Sequence, residues 1–247
     1  MTNFIKTPNL PKEKVKKLIC GKTDETILSF IKSLGIEILQ SDLNYNVDKR
    51  ISNHADISVH HLGEQNIIVD SSQIKLCEVL KNEGMNVSFS DSNIVGEYPF
   101  DCRLNFARVG DVLFGKTEVA DRKLSDYAQK HGVKFVNTKQ GYAKCSTLVL
   151  DNKCFITDDV SIYNAGVNED FDCLFVEKGD VYLDGYNYGF IGGSAGLIDK
   201  KHVIFLGDIR RHRNFCEIDT FLKTRNFDYS YIKNVSLTDI GGIVVLG

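Results

Sequence analysis

The sequence has no long hydrophobic run and no strong excess of one charge. No apolar segment approaches the roughly 18 residues that a membrane-spanning helix needs. The opening stretch, MTNFIKTPNLPK, lacks the apolar core of a secretory signal peptide. The net charge is −3 and the sequence pI is about 6.1, whereas nucleic-acid binding favours a concentrated basic face. These features predict a protein with neither a membrane span nor a nucleic-acid partner.

Cysteine is present, but its pattern predicts neither disulfides nor a zinc site. The chain has seven cysteines, an odd number, and none form a CxxC pair. Scattered cysteines without an export signal predict reduced thiols and a cytoplasmic location. The phosphate-binding GxxxxGKS/T, the serine-hydrolase GxSxG and the zinc-protease HExxH motifs are missing as well. We therefore expect no metal and no other cofactor.

The chain does contain an internal repeat of an amphipathic helix, a glycine or asparagine, and a short strand. Of its 247 residues, 43% are hydrophobic, which is ordinary for a globular protein. The predicted helices cover residues 23–34, 72–81, 121–130, 161–165 and 214–225. The fourth helix looks truncated. The spacing is regular, because 49 residues separate Gly35 from Gly84 and 48 separate Gly84 from Gly132.

Predicted β-hairpins fall between these helix–strand units. In KQGYAKCSTLVLDNKCFIT, residues 139–157, a polar start leads to two short strands joined by an Asx-rich turn. The stretch that begins at Asp56, DISVHHLGEQNIIV, aligns without a gap to DCRLNFARVGDVLF, which begins at Asp101. Counting further copies gives five hairpins, and the N-terminal helix–strand unit completes the C-terminal one. The repeat thus predicts a closed ring that forms a single domain over residues 1–247.

This pattern resembles the penteins, five-bladed β/α-propeller proteins that include the guanidino-group-modifying enzymes. HADISVHHLG at residues 54–63 resembles the PDsvFveD motif of their first blade, and the terminal LTDIGGIVVLG resembles the DGGxxC motif of their last blade. With TPNLP, KQGYxKCS and GFIGG, the chain looks closest to a clostridial-type branch that lacks the usual catalytic cysteine and histidine. The resemblance implies an α/β propeller with pseudo-fivefold symmetry and a ligand site at the ring axis.

The chain departs from the enzymes of that superfamily at the positions that carry their chemistry. Their nucleophilic cysteine follows the last-blade glycine pair, where this sequence has Ile243 and Val244. Their third-blade histidine corresponds to Ala143 or Lys144. His61 stands where a first-blade carboxylate is expected, which weakens a carboxylate cradle for a guanidinium. We therefore do not expect a standard arginine-, agmatine- or dimethylarginine-type hydrolase.

The resemblance places the polar starts of the hairpins at the axis. The candidate residues are Asp56, His60, His61, Asn105, Arg108, Lys144, Cys145, Ser194 and Asp239. A concave centre with convergent polar groups is a typical ligand site. Since neighbouring strand residues point to opposite faces, at most one of His60 and His61 faces the axis.

Two functions remain open from the sequence. In the first, the protein is a divergent enzyme, a hydrolase or transferase for a small polar, amino-acid-like or guanidino-type molecule. Cys145 is then the nucleophile, favoured by the neighbouring Lys144, and His60 or His61 is the base, with Asp239 nearby. In the second, the protein is non-catalytic, a metabolite-binding or protein/ribosome-interaction module.

The charge pattern adds one expectation about the ligand. Arg108 and Lys144 are predicted to face one cavity, where they could hold a carboxylate or phosphate. Asp56 and Asp239 are the internal carboxylates that could neutralise them instead. The Ser194 region, GGSAG, offers backbone N–H groups to a ligand, or admits a neighbouring strand.

Overall fold

The computed structural model of the protein describes residues 4–247 and contains five three-stranded sheets. Blades one to four are β3-β4-β5, β6-β7-β8, β9-β10-β11 and β12-β13-β14, and blade five is β15-β1-β2. The strands are β1 Lys17–Cys20, β2 Glu37–Gln40, β3 Val59–Gly63, β4 Asn66–Val69, β5 Asn86–Phe89, β6 Ala107–Val109, β7 Val112–Gly115, β8 Lys134–Asn137, β9 Thr147–Asp151, β10 Cys154–Thr157, β11 Asp172–Phe175, β12 Ala195–Asp199, β13 His202–Phe205, β14 Asp228–Tyr231 and β15 Val244–Val245. The α-helices are α1 Glu25–Ser33, α2 Ala55–Ser58, α3 Ile74–Asn82, α4 Arg122–His131, α5 Val160–Asn168 and α6 Phe215–Thr224.

Every blade has the same topology. The first two strands are antiparallel, and the third runs parallel to the second after a helical crossover. In blade five, β1 pairs antiparallel with β15, so that Leu18 faces Val245, and parallel with β2. The two ends of the chain therefore share one sheet, which confirms the predicted closed, five-bladed α/β ring.

Local sequence explains where the crossover helices begin. Asp24, Asp121 and Asp159 precede α1, α4 and α5, and each side chain accepts a backbone N–H of the first turn. An aspartate cap supplies a partner for N–H groups that a helix cannot satisfy itself. Helix α5 is a correction to the sequence prediction, since it has nine residues and is not truncated. The sequence pattern was incomplete because a glycine, Gly166, occupies a buried position of this helix. It packs against the ring of Phe155, where an apolar side chain would otherwise have marked the helix.

The core consists of five hydrophobic clusters, one between each pair of neighbouring blades. For example, Ile19 of blade five packs with Val59 and Ile67 of blade one, and Val109 of blade two packs with Phe155 of blade three. The inner hairpin strands are almost wholly buried, whereas the outer strands are half exposed. This arrangement leaves the polar hairpin starts at the centre of the ring.

The N-terminal segment crosses the ring at the turn end of the hairpins. Ile5 donates its N–H to Leu246 O at 2.9 Å and accepts from Glu64 N at 2.8 Å. Asn9 Nδ2 donates to Arg108 O at 3.1 Å, and Leu10 packs against the two clusters on either side of blade three. The segment thus ties blades five, one, two and three together. Within residues 4–247, no helix is long and apolar enough to cross a membrane.

Candidate functional site

Three hairpin starts meet at the side chain of Asn105. Its Nδ2 donates to Asp56 O at 3.0 Å and to Cys145 Sγ at 3.1 Å. Its Oδ1 accepts from the backbone N–H of Lys144 at 2.8 Å and of Cys145 at 3.3 Å. The Cys145 thiol donates to Asp56 Oδ2 at 2.9 Å. One amide therefore fixes the relative positions of a carboxylate from blade one and a thiol from blade three.

Asp239 brings a second carboxylate from blade five. Its Oδ2 accepts from Phe190 N and its Oδ1 from Gly241 N, both at 2.9 Å. Gly193 packs directly on this carboxylate, because a Cβ added there would lie 2.0 Å from Asp239 Oδ1. The GGS stretch of blade four therefore admits the carboxylate by close backbone approach.

A cavity of about 250 Å³ opens over Asp239, Cys145 and His54. His54 immediately precedes α2, and its Nδ1 lies 3.9 Å from Asp239 Oδ1. The other lining residues are aromatic or aliphatic except for one amide: Ile51, Ile57, Tyr142, Leu183, Tyr186, Asn187, Tyr188 and Phe190. Of the residues that the structure describes, no lysine or arginine lines this cavity. We call it the aromatic pocket.

Burial and neighbouring carboxylates control the protonation of this site. Burial, assisted by the charge of Asp239, raises the pKa of Asp56 to about 8. Burial and the same two carboxylates raise the pKa of Cys145 well above that of a free thiol. Burial lowers the pKa of His54. At neutral pH, the pocket therefore holds the protonated thiol of Cys145 and the neutral imidazole of His54 beside the side chain of Asp239.

Lys144 approaches the same network from the opposite side. Its side chain lines a separate cavity of only about 10 Å³, together with Asn9, Ile243 and Val245. Burial lowers the pKa of Lys144, while the charge of Asp56 raises it. Lys144 therefore does not line the aromatic pocket.

Arg108 does not share a cavity with Lys144, contrary to the sequence prediction. Its guanidinium turns toward the β6–β7 turn, where Nε donates to Gly110 O and a terminal N–H donates to Asp111 Oδ1 at 3.2 Å. The physical reason is register: β6 has only three residues, so Arg108 lies beside the turn that follows it. Ser194 is also occupied internally, since its Oγ donates to Ile191 O at 2.9 Å.

The predicted pairing of Cys145 with His60 or His61 is absent from the described residues. His60 Nδ1 lies 2.9 Å from Leu104 O, and His61 Nε2 lies 3.0 Å from Glu64 O. Burial lowers the pKa of both imidazoles to about 4. The Cys145 thiol instead donates its hydrogen bond to Asp56.

Sequence reasoning missed two acidic or basic groups of the site. His54 opens the HADISVHHLG stretch, two residues before Asp56, and that spacing was the available signal. Asp158 is buried behind the pocket, and its Oδ2 accepts from Ile191 N at 2.7 Å. Its Oδ1 has no hydrogen-bond partner, and burial raises its pKa to about 8.

Several solved structures share the fold of this chain. An inosamine-phosphate amidinotransferase from Streptomyces griseus matches with a TM-score of 0.62 and 9% identity, covering 100% of this chain and 97% of that one. SxtG, an amidinotransferase from Microseira wollei, matches with a TM-score of 0.59 and 9% identity, at 95% and 92% coverage. A dimethylarginine dimethylaminohydrolase from Pseudomonas aeruginosa, complexed with citrulline, matches with a TM-score of 0.54 and 11% identity, at 89% and 92% coverage. The fold of this protein is that of the pentein superfamily, and these neighbours are guanidino-modifying enzymes.

Within that fold, the sequence belongs to a narrower group. A family of unknown function (DUF6873) matches residues 18–244, so the chain is a member of that family. A comparison with curated proteins finds no match. At such low identity, the similarity to the solved enzymes shows a shared fold and not a shared reaction.

Proposed function

We propose that this protein binds a small guanidino-type cation in the aromatic pocket, with the cationic group over Asp239. The observation that carries the proposal is the composition of the pocket, which is lined by one carboxylate, one thiol, several aromatic rings and no lysine or arginine among the described residues. A guanidinium forms strong paired hydrogen bonds with carboxylates and stacks on aromatic faces. The solved neighbours with this fold act on guanidino compounds or bind citrulline according to their names, which agrees with this ligand class.

The bound cation would also change the state of Cys145. In the free protein, burial and the charge of Asp239 keep the Cys145 thiol protonated and raise the pKa of Asp56, and a guanidinium bound over Asp239 would lower both pKa values, so that Asp56 becomes a carboxylate. The Cys145 proton then passes to Asp56 Oδ2, which already accepts it at 2.9 Å. The thiolate bonds to the guanidinium carbon, and Asp56 gives its proton to the amine as the bond from carbon to that amine breaks. Water or a second amine then attacks the same carbon, its proton passes to Asp56, and the carbon–sulfur bond breaks to release Cys145. This sequence describes a hydrolase or transferase of the guanidino-modifying type.

The alternative is a pentein that binds the same cation without reacting. The high pKa of Cys145 favours it, because a thiol that stays protonated is a poor nucleophile. The two functions share the ligand and differ only in the covalent step.

Binding is tested by thermal shift with butylguanidine and with neutral butylurea at equal millimolar concentrations. We expect butylguanidine alone to raise the melting temperature of the wild type, because it binds only the folded pocket. Asp239→Asn should lose this shift. Asp228→Asn, which removes an exposed carboxylate of β14, should keep it. Equal shifts in the two variants would reject Asp239 as the binding group.

The covalent step is tested by intact-mass spectrometry after rapid acid quench with a guanidino ligand. A catalytic Cys145 should give an adduct that Cys145→Ser abolishes and Cys216→Ser, at an exposed position, leaves unchanged. Binding without any adduct or product would select the non-catalytic alternative.

A further inference from the structure

We infer that the ligand of the aromatic pocket carries no carboxylate: it is a guanidine attached to an apolar body and not an amino acid. This inference rests on the proposed function and narrows its substrate class. It comes from what surrounds the mouth and walls of the pocket. An amino-acid ligand would have to place an anionic group there, and that group would need a cationic partner, because the one amide that lines the pocket, Asn187, is neutral.

The walls offer contact to hydrocarbon and little to an anion. Ile51, Ile57 and Leu183 contribute aliphatic surface, and the rings of Tyr142 and Phe190 contribute aromatic surface. A ligand body placed in this cavity of about 250 Å³ lies against these apolar walls. Burying a carboxylate without a partner costs several kcal/mol or more. An alkyl body gains from the same burial.

Arg50 is the first cation near the mouth, and it is already neutralised. Its guanidinium lies 4.0 Å from the centre of the Tyr186 ring. Its Nε donates to Asp48 Oδ1 at 2.9 Å, a second N–H donates to Asp48 Oδ2, and a third donates to Gly185 O at 2.7 Å. The bidentate pair with Asp48 has no net charge, and it occupies the guanidinium N–H groups that could otherwise bind a ligand carboxylate.

Lys178 is the second cation near the mouth, and it too has a carboxylate of its own. Its Nζ lies 3.4 Å from Asp159 Oδ2 and 5.3 Å from the centre of the Phe190 ring. Asp159 also caps helix α5, which fixes that carboxylate in place. The remaining basic group of the pocket, His54, faces Asp239. Both nearby lysine and arginine charges are therefore paired by residues outside the pocket.

The inference is tested by isothermal titration calorimetry with three guanidines of matched length: pentylguanidine, 4-guanidinobutanamide and 4-guanidinobutanoate. Their ends are a methyl group, a neutral amide and a carboxylate. We expect pentylguanidine to bind tightest. The dissociation constant of 4-guanidinobutanoate should be at least about tenfold higher. Equal or tighter binding of 4-guanidinobutanoate would overturn the inference and leave the proposed function intact. Failure of all three compounds to bind would overturn the proposed function itself.

A variant isolates the role of the paired arginine. Asp48→Asn should leave Arg50 in place on Tyr186 and release its charge, so that 4-guanidinobutanoate gains affinity relative to pentylguanidine. Asp228→Asn is the matched control and should leave the ratio of the two affinities unchanged. An Asp48→Asn protein with the wild-type ratio would show that Asp48 is not what keeps Arg50 from a ligand carboxylate, and would contradict the argument.

Discussion

The buried carboxyl group of Asp56 destabilises the fold when it is charged. One of its oxygens accepts from Cys145 and the other is buried with no hydrogen-bond partner. Such a carboxyl group is most stable when it is neutral, which explains why its pKa rises to about 8. A carboxylate poised in this way is a common feature of functional sites, where stability is given up for chemistry.

This environment predicts a pH-dependent effect of Asp56→Asn. The folded pKa of Asp56 lies above the unfolded value of about 3.9, so the stability it contributes is complete below about pH 4. That stability is lost as the pH rises through about 8, and asparagine loses nothing over this range. We expect the unfolding free energy of the variant, relative to that of the wild type, to increase by on the order of a few kcal/mol as the pH rises from about 4 to about 8. Urea titrations along the pH series measure it, and a difference independent of pH would contradict the assignment.

Cys145 gives a second prediction at this scale, about thiol reactivity in the ligand-free protein. Iodoacetamide near neutral pH should modify the exposed Cys216 well before Cys145, since burial and two carboxylates oppose the Cys145 thiolate. Above about pH 8, where Asp56 itself is charged, Asp56→Asn removes one of these charges and should speed alkylation of Cys145. Cys20, which is buried elsewhere, should not respond. Peptide mass spectrometry reports each rate, and a Cys145 as reactive as Cys216 would refute this account of its pKa.

The sequence indicated part of the site and could not indicate the rest. Asp56, Asn105 and Cys145 come together because each stands at the start of a repeated hairpin, and alignment of the repeats locates such positions. The direction of a long side chain is not fixed by the repeat. Arg108 turns away to Asp111, which lies three residues later, because a short strand places it beside its own turn.

At the scale of elements, the N-terminal segment around TPNLP is a strap across the ring. Asn9 adopts a positive φ of 66° and its side chain donates to Arg108 O in blade two. The contact of this segment with a strand about 100 residues later had no signal in the sequence.

The strap predicts a measurable cost for Asn9→Ala. The substitution removes one hydrogen bond, worth about 1 kcal/mol, and places alanine at a positive φ, which costs about 1 kcal/mol more. Asn234 supplies a matched control, because it has a φ of 61° and its side chain is exposed. Asn234→Ala should therefore cost about half as much in unfolding free energy. Equal losses in the two variants would mean that the Asn9 hydrogen bond contributes nothing.

The segment between blades three and four illustrates what the repeat conceals. Leu183, Tyr186, Tyr188 and Phe190 form much of the pocket wall, yet residues 182–190 contain no regular element. Helices and strands can be predicted from regularly spaced apolar residues, and the apolar residues of this segment have no regular spacing. Its packing is set by tertiary contacts such as Tyr182 N to Leu237 O at 2.7 Å.

At the scale of the molecule, the repeat of roughly 47 residues predicts the ring because each copy needs neighbours on both sides. The five clusters between adjacent blades meet that need all the way round. Closure depends on β15, a strand of two residues that pairs with β1. The prediction that residues 1–247 act as one domain follows from this closed arrangement.

A closed ring of this kind should unfold as one unit. Far-UV circular dichroism and tyrosine fluorescence are expected to give coincident urea transitions. Val245→Asp, which buries a charge in β15, should shift both transitions together to lower urea. Val167→Asp, at an exposed position on α5, should shift neither by much. Two separate transitions would indicate that the blades form independent units.

The measurement that tests the central claim most directly is a crystal structure of the protein soaked with pentylguanidine. The account predicts the guanidinium within hydrogen-bond distance of Asp239, close to Cys145 Sγ, with its alkyl chain along Tyr142 and Phe190. Density for the ligand outside the aromatic pocket, or a guanidinium that faces away from Asp239, would contradict it.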